Sequence, residues 1–246
     1  MRFLAAFLLG FLWLFPASAV IAIDPNASSH PINATGSSTT TAVTLSTTNA
    51  GDCIIVIVTS GGGTGATHTL ADTAGSTWTA RSGSPYDPGS TGYNTSEWST
   101  AVSGTLSSDV ITATQTGTAF TAIQAVAISG CSSSGTSVNF DGNITTPPSA
   151  LADSVNITTT NANDMIFGFC NAGNTSNATP VAGFTDLTGA PGDYLGNAYK
   201  VVSATQTALP VGWSNTPVCH ETVVDAVKAS GSVAAVPLRT LMGVGQ

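Results

Sequence analysis

The sequence predicts an all-β chain folded as a two-sheet, jelly-roll-like sandwich with an internal pseudo-twofold repeat. Three observations predict it. From Val43 onward short apolar or alternating runs recur, roughly every 8 to 15 residues, between clusters of Gly, Asn, Asp, Ser and Pro, the rhythm of sandwiches and barrels. Thr and Val dominate those runs. Both suit a pleated, half-buried surface, and the period of a helix is nearly absent. The third observation is repetition: Thr47-Thr48-Asn49-Ala50-Gly51-Asp52 leads into an apolar run, and Thr159-Thr160-Asn161-Ala162-Asn163-Asp164 leads into another, 112 residues on (52 to 164).

Taken in order, residues 1–19 form a hydrophobic N-terminal segment with the layout of a signal peptide. Arg2 supplies the positive start, 3–15 the apolar stretch, and Pro16-Ala17-Ser18-Ala19 the small-residue site, with cleavage after Ala19 or Ala22. An uncleaved anchor is the alternative, though the run is short for a span of about 20 residues. Residues 20–42, with Pro25, Pro31, Gly36 and a Ser/Thr cluster, read as an extended lead-in.

The sandwich is expected over 43–230. Its first half, about 43–130, is predicted to carry strands at 43–47, 53–59, 67–71, 76–80, 97–102, 110–115 and 119–129. The second, about 151–230, is predicted to carry them at 155–159, 165–171, 181–185, 197–203, 209–213 and 222–229. Two further anchors match in order: Asp72-Thr73-Ala74-Gly75 with Asp186-Leu187-Thr188-Gly189, and 122–130 with 223–231. The Ser-rich, Pro-containing stretch 130–150 is the expected junction, and 231–246 a tail with apolar patches.

Composition excludes several roles. Charged residues make up 7% of the chain, against about 25% in typical domains, and the net charge is −8 with five Lys and Arg in all. Nucleic acids and anionic membrane surfaces both require clustered cations, so neither is an expected partner.

The four cysteines of an exported chain are expected to form disulfides, with three connectivities open. Cys53 starts its apolar strand and Cys170 ends the matching one; Cys131 follows the last strand of the first half and Cys219 precedes that of the second. A pseudo-twofold that set the matching strands side by side and antiparallel would join Cys53 to Cys170 and Cys131 to Cys219, the pairing expected here.

Motifs carry little chemistry. Asp72-x-x-Gly75-x-x-Trp78 reads as a turn in which the Asp side chain accepts from backbone amides and Gly takes a positive φ, with Asp186 and Gly189 in the same role. Its functional alternative is a metal or sugar site at Asp72 and Trp78. Asp52 and Asp164 enter strands without an Asp-x-Asp-x-Asp-Gly calcium loop, and His220-Glu221 lacks a second His at helical spacing. Gly61-Gly62-Gly63-Thr64-Gly65 lacks the Lys of a phosphate loop, and no Gly-x-Ser-x-Gly elbow occurs. No catalytic residue, metal site or cofactor is therefore expected. Tyr86 and Tyr93, in the Pro/Gly-rich loop 82–96, are the candidate ligand-binding residues. Asn-x-Ser/Thr sites stand at Asn26, Asn33, Asn94, Asn143, Asn156, Asn174 and Asn177.

The Gly51-Asp52 strand entry, the Asp72-x-x-Gly75-x-x-Trp78 turn, the strand Ala125-Val126-Ala127-Ile128-Ser129-Gly130 and the Asn163-Asp164 entry together resemble a loose group of β-sandwich proteins of tailed bacteriophages and bacteria, over roughly residues 37–230. The resemblance implies a non-enzymatic virion surface or tail component, or an exported surface protein, and carries over no catalytic residue. The signal-like N-terminus departs from a virion protein assembled in the cytoplasm. The reading is thus a structural or adhesive protein of the cell surface or virion, outside the cytoplasm, that self-associates or assembles with other surface or virion proteins. A secreted glycan-binding module is the alternative, and a secreted hydrolase a third.

Overall fold

A computed structural model describes residues 20–26, 38–61, 66–84, 92–142, 154–171, 179–187, 195–214 and 219–231. The segment 1–19 and the tail beyond Gly231 lie outside the described residues. Among the described residues there is no helix. Sixteen strands run in the order β1 Ala22–Ile23, β2 Ser38–Leu45, β3 Cys53–Gly61, β4 His68–Asp72, β5 Thr79–Ala80, β6 Tyr93–Ala101, β7 Asp109–Ser129, β8 Ser133–Ser134, β9 Ser137–Val138, β10 Ser154–Ile157, β11 Asp164–Asn171, β12 Thr179–Pro180, β13 Thr185–Asp186, β14 Leu195–Val202, β15 Leu209–Ser214 and β16 Glu221–Lys228.

All pairings are antiparallel and no sheet closes on itself. In the first half β3 is central, with β6 on one edge and the later part of β7 on the other; short β5 flanks β6 and short β1 flanks β7. The earlier part of β7 is the middle strand between β2 and β4. In the second half β11 is central between β14 and β16, β13 flanks β14, and β15 lies between β10 and β12. The 21-residue β7 thus does what β15 and β16 do separately, and it replaces the two predicted strands at 110–115 and 119–129.

The stretches read as lead-in and junction contribute strands. Ile23 stands opposite Ile128 of β7, and Phe140 bridges to Val227 of β16. Strand alternation sends Ile21 and Val138, the residues two positions earlier, into the core.

Among the described residues this pairing yields three larger apolar clusters and a small one of Cys170, Ala198, Trp213 and Cys219. Residues facing one way from β3, β6 and β7 (Ile55, Ile57, Val126) pack with Met165, Phe167 and Val223 of β11 and β16 in one core shared by both halves. The opposite face of β3 packs Ile54 and Val56 against Val43, Leu45 and Ile111 of β2 and early β7. The opposite face of β11 and β16 packs Ile166 and Val224 against Val155, Ile157 and Val211. The apolar runs 53–58 and 165–170 are buried at every position because each has a core on both faces.

The cysteine pairing departs from expectation. The bonds are Cys53–Cys131 and Cys170–Cys219, each within one half. The reason is topological: β6 and β7 occupy both edges of β3, and β14 and β16 both edges of β11, so β3 and β11 cannot lie side by side. Their buried side chains share one apolar cluster instead. Cys53 stands opposite Ile128 and reaches Cys131 three residues beyond it; Cys170 stands opposite Thr222 and reaches Cys219 three residues before it. Two disulfides are consistent with an oxidising, extracellular setting.

Candidate functional site

Polar chemistry gathers in the seam where the two central sheets face each other. At mid-seam Arg81, just past β5, reaches across to Asp225 of β16: Nε donates to Oδ2 at 2.5 Å and a terminal nitrogen to Oδ1 at 3.2 Å. The same guanidinium donates to the Gly142 carbonyl at 2.8 Å and lies 4.0 Å over the Phe140 ring. Glu97 of β6, 1% exposed, shares this pocket. Burial pushes its carboxyl well above the usual range, Asp225 adds to the rise, and Arg81 opposes it. Burial also raises Asp225, but there the hydrogen bond and charge of Arg81 oppose it directly.

At one end of the seam, β3 and β11 finish together. Asn171 Nδ2 donates to Thr59 Oγ1 at 2.5 Å, the hydroxyls of Thr59 and Thr95 are hydrogen-bonded at 3.2 Å, and Thr95 Oγ1 donates to Glu221 Oε2. His68 of β4 holds a hydroxyl on each ring nitrogen, Ser96 Oγ at 2.6 Å from Nδ1 and Ser60 Oγ at 3.0 Å from Nε2. Burial pushes this imidazole down to about 4, so the ring is neutral, closed from solvent and committed on both nitrogens.

At the opposite end each half carries a pair of buried aspartates. Asp24 accepts from the Thr48 amide at 2.8 Å, the Thr48 hydroxyl at 2.7 Å and the Asn26 amide at 2.8 Å. Asp141 accepts from the Thr160 amide and hydroxyl, both at 2.6 Å, and the Asn161 amide at 2.7 Å. Burial works to raise both carboxyls, but these bonds outweigh it and hold them below the ordinary value. Each lies near a second aspartate. Burial, then the neighbouring Asp24, pushes Asp52 up to about 6; burial first, with Asp141 adding to it, pushes Asp164 up to about 7. Each pair therefore sets one lowered carboxyl beside one raised carboxyl.

The two tyrosines divide. Tyr86 lies outside the described residues. The Tyr93 ring stacks on His220 at 4.2 Å between centroids, and it lies so close over Gly61, its cross-strand partner, that a Cβ there would meet it at 2.6 Å. Tyr93 closes the end of the seam more than it offers a free platform.

The Asp72 turn is as expected: Asp72 Oδ1 accepts from the Ser76 amide at 2.8 Å, Gly75 has φ +73°, and Trp78 packs against the core beneath. A cavity of about 250 Å³ opens beside it, lined by Gly75, Ser76, Thr100 and Ser103. Asp186 is not its counterpart. It is an exposed residue of β13 opposite Ala198, the place Ala80 holds opposite Trp98. The second-half turn is 181–184, where Phe184 N donates to the Val181 carbonyl and Gly183 has φ +87°. Gly189 lies outside the described residues. Asn94 is fully buried in β6 and cannot carry a glycan, whereas Asn156 is exposed.

Among the described residues no group of three or more His, Cys, Asp or Glu is placed to hold a metal ion. The roles of Asp24, Asp141, Glu97 and Asp225 went unseen in the sequence. For the first two a signal exists: Ile21-Ala22-Ile23-Asp24-Pro25-Asn26 and Val138-Asn139-Phe140-Asp141-Gly142-Asn143 align apolar for apolar, Asp for Asp and Asn for Asn. Comparison of the chain with protein-family models, with curated proteins and with solved structures found no match.

Proposed function

We propose that the chain is a non-enzymatic structural or adhesive protein, exported to the cell surface or carried on a virion, and built from a duplicated unit whose two copies stack as a jelly-roll-like sandwich about a pseudo-twofold. The observation that carries this reading is the use to which the perturbed polar groups are put. Asp24 and Asp141 tie loops, Arg81 and Asp225 tie one half to the other, and His68 ties β4 to β3 and β6. Each is buried or nearly so and occupied in holding backbone or strands together. That is the economy of a part whose product is shape. A seam of this kind, two disulfides and few charges suit a protein that must persist outside the cell and pack beside others.

The duplicated arrangement is supported by the matching pairings of the two halves and by Thr59 meeting Asn171, which stand as far apart in sequence as Asp52 and Asp164. The test is light scattering on the mature chain after size exclusion, with localisation of the native protein. Assembly into oligomers, or retention on envelope or particles, is expected. A strictly monomeric chain free in the medium overturns the reading. The glycan-binding alternative now rests on Tyr86, since the Tyr93 ring is occupied, and a glycan array with the Tyr86→Ala variant tests it.

A further inference from the structure

The outer face of the three strands β2, early β7 and β4 has an unusual surface. The outward residues are Thr40, Ala42 and Thr44 on β2, Val110, Thr112, Thr114 and Thr116 on β7, and Thr67, Thr69, Ala71 and Thr73 along β4 and its ends. Their inward neighbours Val43, Ile111, Ala113 and His68 are buried, which fixes the alternation. Register sets them in ranks: Thr40, Thr114 and Thr69 in one row, Ala42, Thr112 and Ala71 in the next. Thr116 and Thr67 make a third, their hydroxyls 3.2 Å apart. Among the described residues the face carries no charge and no aromatic ring.

The fold does not require this. The corresponding strands of the second half, β10, β15 and β12, turn outward Ser154 and Asn156, Pro210 and Ser214, and Thr179. Threonine ranks belong to one half alone, and so does whatever they do.

The chemistry of the face narrows its occupant. Protein interfaces draw on aromatic and Arg anchors, and sugars on exposed aromatic rings; neither is present. Nucleic acid and anionic lipid need cations, which are absent as well. What remains is a grid of methyl and hydroxyl groups, spaced about 4.8 Å from strand to strand and about 6.8 Å along each strand. Thr69 and Thr114 are exposed and Thr112, in the next row, is half-buried, which leaves them in contact with water. The two spacings lie close to the repeats of oxygen atoms on a prism face of ice. A stiff, β-branched side chain holds its hydroxyl in place, so water ordered there forfeits little entropy on joining a lattice.

We infer that this threonine face binds ice. The inference supplies the adhesive side of the reading above with a surface, and it fails separately: a chain that assembles but ignores ice keeps the first and loses the second. The experiment uses the labelled mature chain (20–246), adsorbed to a slowly growing ice hemisphere, with thermal hysteresis measured in parallel. Incorporation into ice and faceting of single crystals are expected. Thr114→Lys, at the centre of the grid, is expected to abolish both, and Asn156→Lys on the other outer sheet to leave both intact. Unchanged circular dichroism melts verify that both variants fold. Exclusion of the wild-type chain from ice overturns the inference. So does equal behaviour of the two variants, or retention on crystalline cellulose or chitin without retention on ice.

Discussion

Thr59 and Asn171 are hydrogen-bonded to each other at 2.5 Å across the seam, and they stand 112 residues apart in the chain, the separation of the two repeated strand entries. Both are buried, so Asn171→Ala removes one of the two side-chain hydrogen bonds at Thr59 Oγ1 and is expected to cost about 0.5–1.5 kcal/mol. The Thr59→Val, Asn171→Leu double variant should cost less than the sum of its parts, which urea denaturation measures. Additive losses would show that the pair is not coupled.

Arg81 and Asp225 are the stronger tie. Arg81→Leu leaves Asp225, 1% exposed, without its cation and should destabilise by about 3–5 kcal/mol. Glu97→Gln should cost under about 1 kcal/mol, because burial raises the Glu97 carboxyl and favours its neutral form, which an amide resembles. A large loss for Glu97→Gln would mean that Glu97 is ionised in the fold.

Stability should fall as pH rises through the acid range. Asp52 and Asp164 are raised to about 6 and about 7, above the ordinary carboxyl value, so the folded chain binds more protons than the unfolded one between about pH 4 and pH 7. Their contribution is full below that window and lost as pH climbs through it. Asp24 and Asp141, lowered, act the other way, below the ordinary value, and neutral His68 gains between about pH 4 and pH 6.5. The clean reading is a difference: wild type minus Asp164→Asn, by thermal melts from pH 4.5 to pH 8. The Asn variant should lose less stability over that range than wild type. Parallel curves would show that the Asp164 carboxyl is not raised in the fold.

Peptide mapping without reductant should join Cys53 to Cys131 and Cys170 to Cys219. Breaking either bond by a Cys→Ser pair should cost about 3–4 kcal/mol and leave the other intact, since each staples its own strands. A shuffled bond in the double-Ser variant would contradict that independence.

Gly130 has φ +70°, and a Cβ there would meet the Val20 carbonyl oxygen at 2.6 Å. Gly130→Ala should therefore lift β1 off β7, exposing Ile21 and loosening Asp24 from Thr48. Protection of the Thr48 amide in hydrogen exchange should drop. A variant exchanging as wild type would show that β1 is held by other contacts.

Strand identity was legible where apolar runs such as 53–58 and 165–170 admit little else, but not at 181–185, where residues 181–184 turn; the Asp72 turn announced itself through Gly75. The seam was not legible. Arg81 and Asp225 are 144 residues apart, and no local pattern marks one as the other's partner. The cysteine pairing went astray because repeat symmetry does not specify whether matching strands neighbour each other or stack; the occupied edges of β3 decide it. Asp186 was misplaced for a related reason. A four-residue match to Asp72 outweighed the ladder, which sets Asp186 opposite Ala198.

Disulfides confined to each half have a consequence for a chain that emerges N-terminus first. By the time Cys131 appears, every strand that flanks β3 has already been made, and Cys53 need wait for nothing more. The second bond likewise closes within the last part to emerge. No thiol of the first half is left seeking a partner among residues still to come, and oxidation can keep pace with delivery.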